Sequence, residues 1–194
     1  GYEGEDYIVS TSRPFSEETE TPVNYCHIYA PQGFSEIVFK GEVDALESNK
    51  RDLDAIERAL GMAGGIYNDS AHITGVSAFD MWSRHLENGS TDKRLLEGNS
   101  YLASITAEAL TLAFLFLDRM TNRYQETPQG IHLARASMEC KQAAHPMKRW
   151  LDILPIGQGP EPPLEGLVKG QTLLEESRAH YMGAMHHMEN ARDS

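Results

Sequence analysis

The segment from His180 to Glu189, with His186 and His187 inside it, holds three of the chain's eight histidines. Glu176, His180 and His187 follow one another at four and seven residues, which on a helix puts them within about 40° of each other. That is how one helix presents a carboxylate and two imidazoles to a transition metal, and Gly183 between them leaves room for an ion or a substrate. Met182, Met185 and His186 add soft donors suited to copper. The same helical wheel gathers Leu167, Leu174, Tyr181, Met185 and Met188 on the opposite side. The Glu/His stripe is therefore expected to face solvent, whereas metal sites of helical bundles face inward. No Glu-x-x-His pair elsewhere offers itself as the second half of a ligand set. A metal at Glu176, His180 and His187 thus stands as the alternative to a solvated polar face.

The second cluster is basic. Arg135, Lys141, Lys148 and Arg149, with His132 and His145 beside them, are relieved only by Glu139 and Asp152. Guanidinium and ammonium groups in this pattern suit phosphate, an acidic partner segment or a nucleic-acid backbone. The sharper expectation is a docking surface for the acidic arm of a neighbouring copy, and the plainer one is an ordinary solvated face.

Nucleophile motifs fail on inspection. Gly75-Val76-Ser77-Ala78-Phe79 lacks the closing glycine of a nucleophile elbow and precedes a helix without a strand before it. Gly61-Met62-Ala63-Gly64-Gly65 has no Lys-Ser/Thr and reads as a helix stop rather than a phosphate loop. Cys140 and His145 stand five apart across an expected helix end, a spacing that does not favour a thiolate–imidazole pair.

These residues must be positioned by a fold that composition already narrows. With 194 residues and 40% apolar content, the chain makes one domain, or a domain plus an arm, around a real core. Lys and Arg number 17 against 29 Asp and Glu, a net charge of −12. That disfavours sequence-independent nucleic-acid binding and adhesion to anionic membranes. Two cysteines, Cys26 and Cys140, make neither a disulfide scaffold nor a zinc spacing, and point to the cytoplasm or another reducing compartment. The longest apolar run, 107–117, is short of the roughly 20 residues of a bilayer span, so no membrane span is expected. No signal-peptide pattern opens the chain, and a start at Gly1 leaves room for processing before it.

Residues 1–47 hold ten acids and two bases. With Tyr7-Ile8-Val9, Val23 to Ala30 and Ile37-Val38-Phe39 set between prolines, residues 1–43 read as an acidic arm of short strands, with a hairpin turn at Pro31-Gln32-Gly33. From 44 to 194 the periodicity is helical. Leu53, Ile56 and Leu60 mark a first helix that ends at Gly64-Gly65. Phe79, Trp82 and Leu86 mark a second over 77–87, and Ser90 or Thr91 caps a short turn to Leu95-Leu96. Over 99–125, Leu102, Ile105, Ala109, Leu112, Phe116 and Met120 fall on one side, widened by Leu110, Phe114 and Leu117. So apolar a helix is expected to be the buried centre of the bundle. An Ala-rich helix follows over 130–144, where Pro146 breaks it or starts a short helix carrying Met147, Trp150, Leu151 and Leu154. A Pro/Gly-rich loop over 155–166 precedes a last helix over 167–190.

The fold class expected is mainly α, a multi-helix bundle around that central helix with a small strand-containing arm. With no catalytic motif, the function expected is a non-catalytic structural or assembly protein that self-associates through its arm. No cofactor is called for, beyond a transition metal in the alternative. The alternatives are a helical enzyme or small-ligand or metal-binding protein using the C-terminal Glu/His stripe, and a coat-like protein contacting nucleic acid.

Overall fold

The computed structural model describes residues 2–3, 6–10, 20–24, 48–66, 68, 73–87, 93–154 and 164–194. The chain divides into two compact units, 1–45 and 46–194. In the first, the described backbone consists of strands β1 (Tyr2–Glu3), β2 (Asp6–Ser10) and β3 (Glu20–Asn24) in one antiparallel sheet of that order. Pro22, which has no N–H for a ladder, sits in β3, an edge strand. The segment Ile37-Val38-Phe39 and the turn at 31–33 lie outside the described residues.

The second unit is mainly α. Its described residues form five helices, α1 (Ser48–Ala63), α2 (Gly75–Glu87), α3 (Lys93–Arg123), α4 (Pro128–Ile153) and α5 (Leu164–Asp193). Helix α1 stops where Gly65 takes a positive φ of 79°, a conformation open to glycine at little cost. Leu53, expected inward with Ile56 and Leu60, is exposed, and Asp52 takes the buried place beside Ile56. The turn between α3 and α4 is tight. The Thr127 hydroxyl accepts from the Gly130 N–H at 3.1 Å and donates to the Tyr124 carbonyl at 2.7 Å, and Pro128 opens α4 where its missing N–H costs nothing.

Two expectations are corrected here. The first concerns the centre of the bundle, which is α4 rather than α3. Helix α4 lies between α3 and α5 and packs extensively on both, while α2 and α1 pack on α5. Ala136, Cys140, Ala143, Ala144, Met147 and Trp150 of α4 are all fully enclosed. Small side chains on α4 let neighbouring backbones approach closely, and α3 answers with its own small residues, Ala103 and Ala107. Helix α3 therefore turns its Ala103, Ala107, Leu110, Leu117 and Met120 side inward. Leu102, Ile105, Leu112 and Phe116 point outward.

The second correction concerns Pro146, which neither ends nor starts a helix. Helix α4 runs through it without interruption to Ile153. A proline inside a helix loses one backbone hydrogen bond. Here Pro146 is itself fully buried, and Met147 and Trp150 beyond it reach the core only if the helix continues. Burial of that last turn offsets the lost bond. The helix starts also move: α3 begins at Lys93 and absorbs the expected turn at Leu95-Leu96, and α5 begins at Leu164, inside the expected loop. The rest of that loop lies outside the described residues.

Candidate functional site

The chemistry-bearing side chains converge along the contact between α4 and α5. One buried hydrogen bond fixes how those two helices meet: the Ser177 hydroxyl of α5 donates to the Ala143 carbonyl of α4 at 2.8 Å. Gly170 sits where an added Cβ would stand 3.0 Å from the Trp150 ring, so the absence of a side chain lets α5 lie against α4. At the edge of that contact Glu139 Oε2 and His180 Nδ1 are 2.7 Å apart. The space Gly183 was expected to leave for an ion is taken by the Glu139 side chain, whose carboxyl carbon would be 3.1 Å from a Cβ at Gly183. His180 thus leans on α4 with 34% of its side chain still exposed, while Glu176 of the same stripe is exposed as expected.

Towards the N-terminus of α5 the pair opens into a shallow groove of about 390 Å³, lined by Lys141, Gln142, His145, Lys148, Glu176 and His180. Lys141 holds its ammonium 5.3 Å above the Phe114 ring, within cation–π range. Arg149 approaches Glu176 at 3.7 Å. Two lysines against one engaged carboxylate leave the groove positive, able to accept an exposed carboxylate or phosphate.

Towards the C-terminus of α5 lies a histidine cluster. The His187 ring is 6.0 Å from that of His132 on α4 and 5.6 Å from that of His186. The Nδ1 atoms of both His132 and His187 are enclosed without a hydrogen-bond partner. Burial, the neighbouring His186 and the Arg135 guanidinium pull the proton affinity of His187 below its ordinary value, with Glu139 opposing them.

The residues expected to hold a metal therefore have separate partners: Glu176 has Arg149, His180 has Glu139, and His187 has the other two imidazoles. Among the described residues no three His, Cys, Asp or Glu side chains come together to share one ion. Of the basic residues, Lys141 and Lys148 share the groove, Arg149 stands at its rim, and Arg135 belongs to the histidine cluster. Cys140 is buried, and burial with the nearby Glu139 charge pushes its thiol up to about 12, which makes it inert rather than nucleophilic. Ser137 and Ser177 both donate to helix carbonyls. Glu139 is the member of the site that the sequence did not single out. Its partner lies 41 residues away, and no local spacing signals such a pair.

A different surface has no such polar furniture. On α3, Tyr101, Leu102, Ile105, Leu112, Leu115 and Phe116 are each 40–60% exposed. The segment Gly98–Arg123 is long and apolar enough to cross a membrane. That differs from the expectation of no span, which counted only the run at 107–117, broken by Glu108 and Thr111.

No known protein family, no curated protein and no solved structure matches this chain.

Proposed function

We propose that this chain is a non-catalytic assembly protein that self-associates. The observation carrying the reading is the outer face of α3, which leaves six large apolar side chains exposed along a little over four helical turns. A monomer in water rarely exposes a contiguous apolar patch of more than a few hundred Å², and larger ones serve association. The α4–α5 groove supports the same reading through charge. Residues 1–47 carry a balance of −8, and Lys141 and Lys148 offer an acidic segment of a neighbouring copy a place to dock. A reducing compartment suits a chain of two cysteines whose described member, Cys140, is a buried free thiol.

Sedimentation velocity on the full chain between about 1 and 100 µM tests the reading. Self-association that strengthens with concentration is expected. A monomer throughout contradicts it. The arm's part is tested by Lys141→Glu with Lys148→Glu, which should weaken association most at low salt. An association unmoved by those changes removes the arm from the account and leaves the apolar surface.

The second reading, a helical metal- or ligand-binding protein, draws on the Glu139–His180 pair, since a carboxylate commonly orients an imidazole ligand in this way. Metal analysis of untagged protein tests it. Stoichiometric zinc, copper or iron that is lost in His180→Ala would favour it over assembly.

A further inference from the structure

We infer that α3 pairs with α3 of a second copy, in antiparallel sense, through a seam made by Leu102, Ile105, Ala109, Leu112 and Phe116. The inference rests on the assembly reading and gives it a surface, a partner and an orientation.

The spacing along the seam is three, four, three, four. This is the a/d repeat with which one helix offers knobs to the holes of another. All five residues are exposed in the bundle. The helix spends its other side, Ala103, Ala107, Leu110, Leu117 and Met120, on the bundle interior. The same helix thus carries two apolar faces, and only one has a partner within the described unit. Tyr101 and Leu115 extend the outer face on one flank. Taking about 200 Å² for a fully exposed large side chain, the six exposed residues offer roughly 600 Å² per copy, so two copies reach about 1,200 Å², the lower end for a stable interface.

Charge and size select the orientation. Arg119 is exposed and stands in the next seam position after Phe116. A parallel pair would set Arg119 against Arg119, Ala109 against Ala109 and Phe116 against Phe116, which joins like charges, leaves a gap and crowds a ring. An antiparallel pair sets Ala109 opposite Leu112 and Ile105 opposite Phe116, small against large, and carries the two arginines to opposite ends. Glu108, on the flank, then faces Leu115 rather than another Glu108.

The same observations disfavour the other occupants. The acidic segment 1–47 finds its complement at Lys141 and Lys148, whereas the seam offers one cation at its end. A bilayer would have to accept Glu108 beside the middle of the seam, at a cost of about 3 kcal/mol that an interface leaving Glu108 on its flank avoids.

The test uses the full chain. Leu112→Lys and Ala109→Glu should each raise the dissociation constant by roughly thirtyfold or more, as for a charge placed in an interface core. Far-UV circular dichroism should be unchanged, because both positions are exposed. Mixing the two variants should restore a dimer, since Lys at 112 then faces Glu at 109. In a Cys26→Ser background, Ala109→Cys lies next to its own mate near the dyad and should form an intermolecular disulfide. Leu102→Cys, with its mate roughly 25 Å away along the axis, should not. Cross-linking through Leu102→Cys, which a parallel pair would give together with Ala109→Cys, overturns the orientation. An undiminished dimer in Leu112→Lys overturns the surface and leaves the assembly reading standing. A strictly monomeric wild type overturns both. With Cys26 retained, a disulfide within one chain from Leu112→Cys would mean that the arm covers the seam. Monomeric protein that co-sediments with phosphatidylcholine vesicles, and stops doing so in Leu112→Lys, would mean that lipid does. Either result overturns the proposal.

Discussion

The outer face of α3 and the polar edge of the α4–α5 contact lie on the same bundle and are built from opposite materials. The first is a row of leucine, isoleucine and aromatic side chains, with Glu108 and Arg119 among its few charges. The second carries Glu139, His180, Lys141, Lys148 and four further histidines, with Glu139 and His180 holding each other and Lys141 resting on the Phe114 ring. A site built for chemistry keeps a reactive group free and perturbed, and at this edge His187, with its unpartnered Nδ1 and lowered proton affinity, is the group that fits that description. Here the buried thiol is held inert and both serine hydroxyls of the contact are engaged. Much of that polar richness joins two helices, whereas the outer apolar face of α3 has no partner among the described residues. The proposed function therefore rests on the surface left without a partner and not on the density of ionisable residues.

The comparison can be broken most severely by exchanging the two environments of a single residue type. Leu133 in α4 is 1% exposed and Leu112 in α3 is 60% exposed. Leu133→Ala should destabilise the full chain by about 2–5 kcal/mol through lost transfer energy and a cavity. Chemical denaturation followed by circular dichroism reads this directly, and a cost under about 1 kcal/mol would mean that α4 is not the centre of the bundle.

Next in size is the pair that ties the end of α3 to α1. Arg123 reaches the Asp52 carboxylate at 2.8 Å, and Asp52 is almost wholly enclosed. Arg123→Ala leaves that carboxylate buried without its cation and should cost about 2 kcal/mol, while Arg119→Ala, on the outer face, should leave monomer stability within about 0.5 kcal/mol. Equal effects from the two arginines would erase the distinction between inner and outer sides of α3.

A pH titration sharpens the polar half of the comparison. The folded state holds the proton affinity of His187 below its ordinary value of 6.5. The unfolded chain therefore binds more protons than the folded one as pH falls through that value, so stability should be greatest above it and decline below it. Melting temperatures at pH 7.5 and 5.5 should differ in that direction, and His187→Gln should flatten the difference. A wild type that gains stability on acidification would contradict the described cluster of His187, His132, His186 and Arg135.

The smallest effect belongs to the outer face itself. Leu112→Ala should change the stability of dilute, monomeric protein by no more than about 0.5 kcal/mol. A loss of 2 kcal/mol or more would show that something within the chain already covers it.

How much of this was legible in the sequence follows from the reach of each signal. Periodicity over 99–125 announced a long apolar helix, and the helix exists over Lys93–Arg123. What periodicity could not decide was which of two apolar sides turns inward. The stripe of large residues looked like the core side. The structure buries the side with Ala103 and Ala107, because close approach to the Ala-rich α4 rewards small residues, and no single-helix wheel contains the partner's surface. Pro146 misled for a related reason: the local rule penalises a proline in a helix, and the tertiary gain from Met147 and Trp150 outweighs it. At the candidate site, His180 and Lys141 were legible as residue types at helical spacing. Glu139 as the partner of His180 was not, since the pair spans two helices.

The outer face of α3 as an interface is tested most directly by weighing the full chain and its Leu112→Lys variant side by side in solution at the same concentrations. The account predicts a dimer for the first and a monomer of unchanged helicity for the second. Identical masses for the two proteins would contradict it.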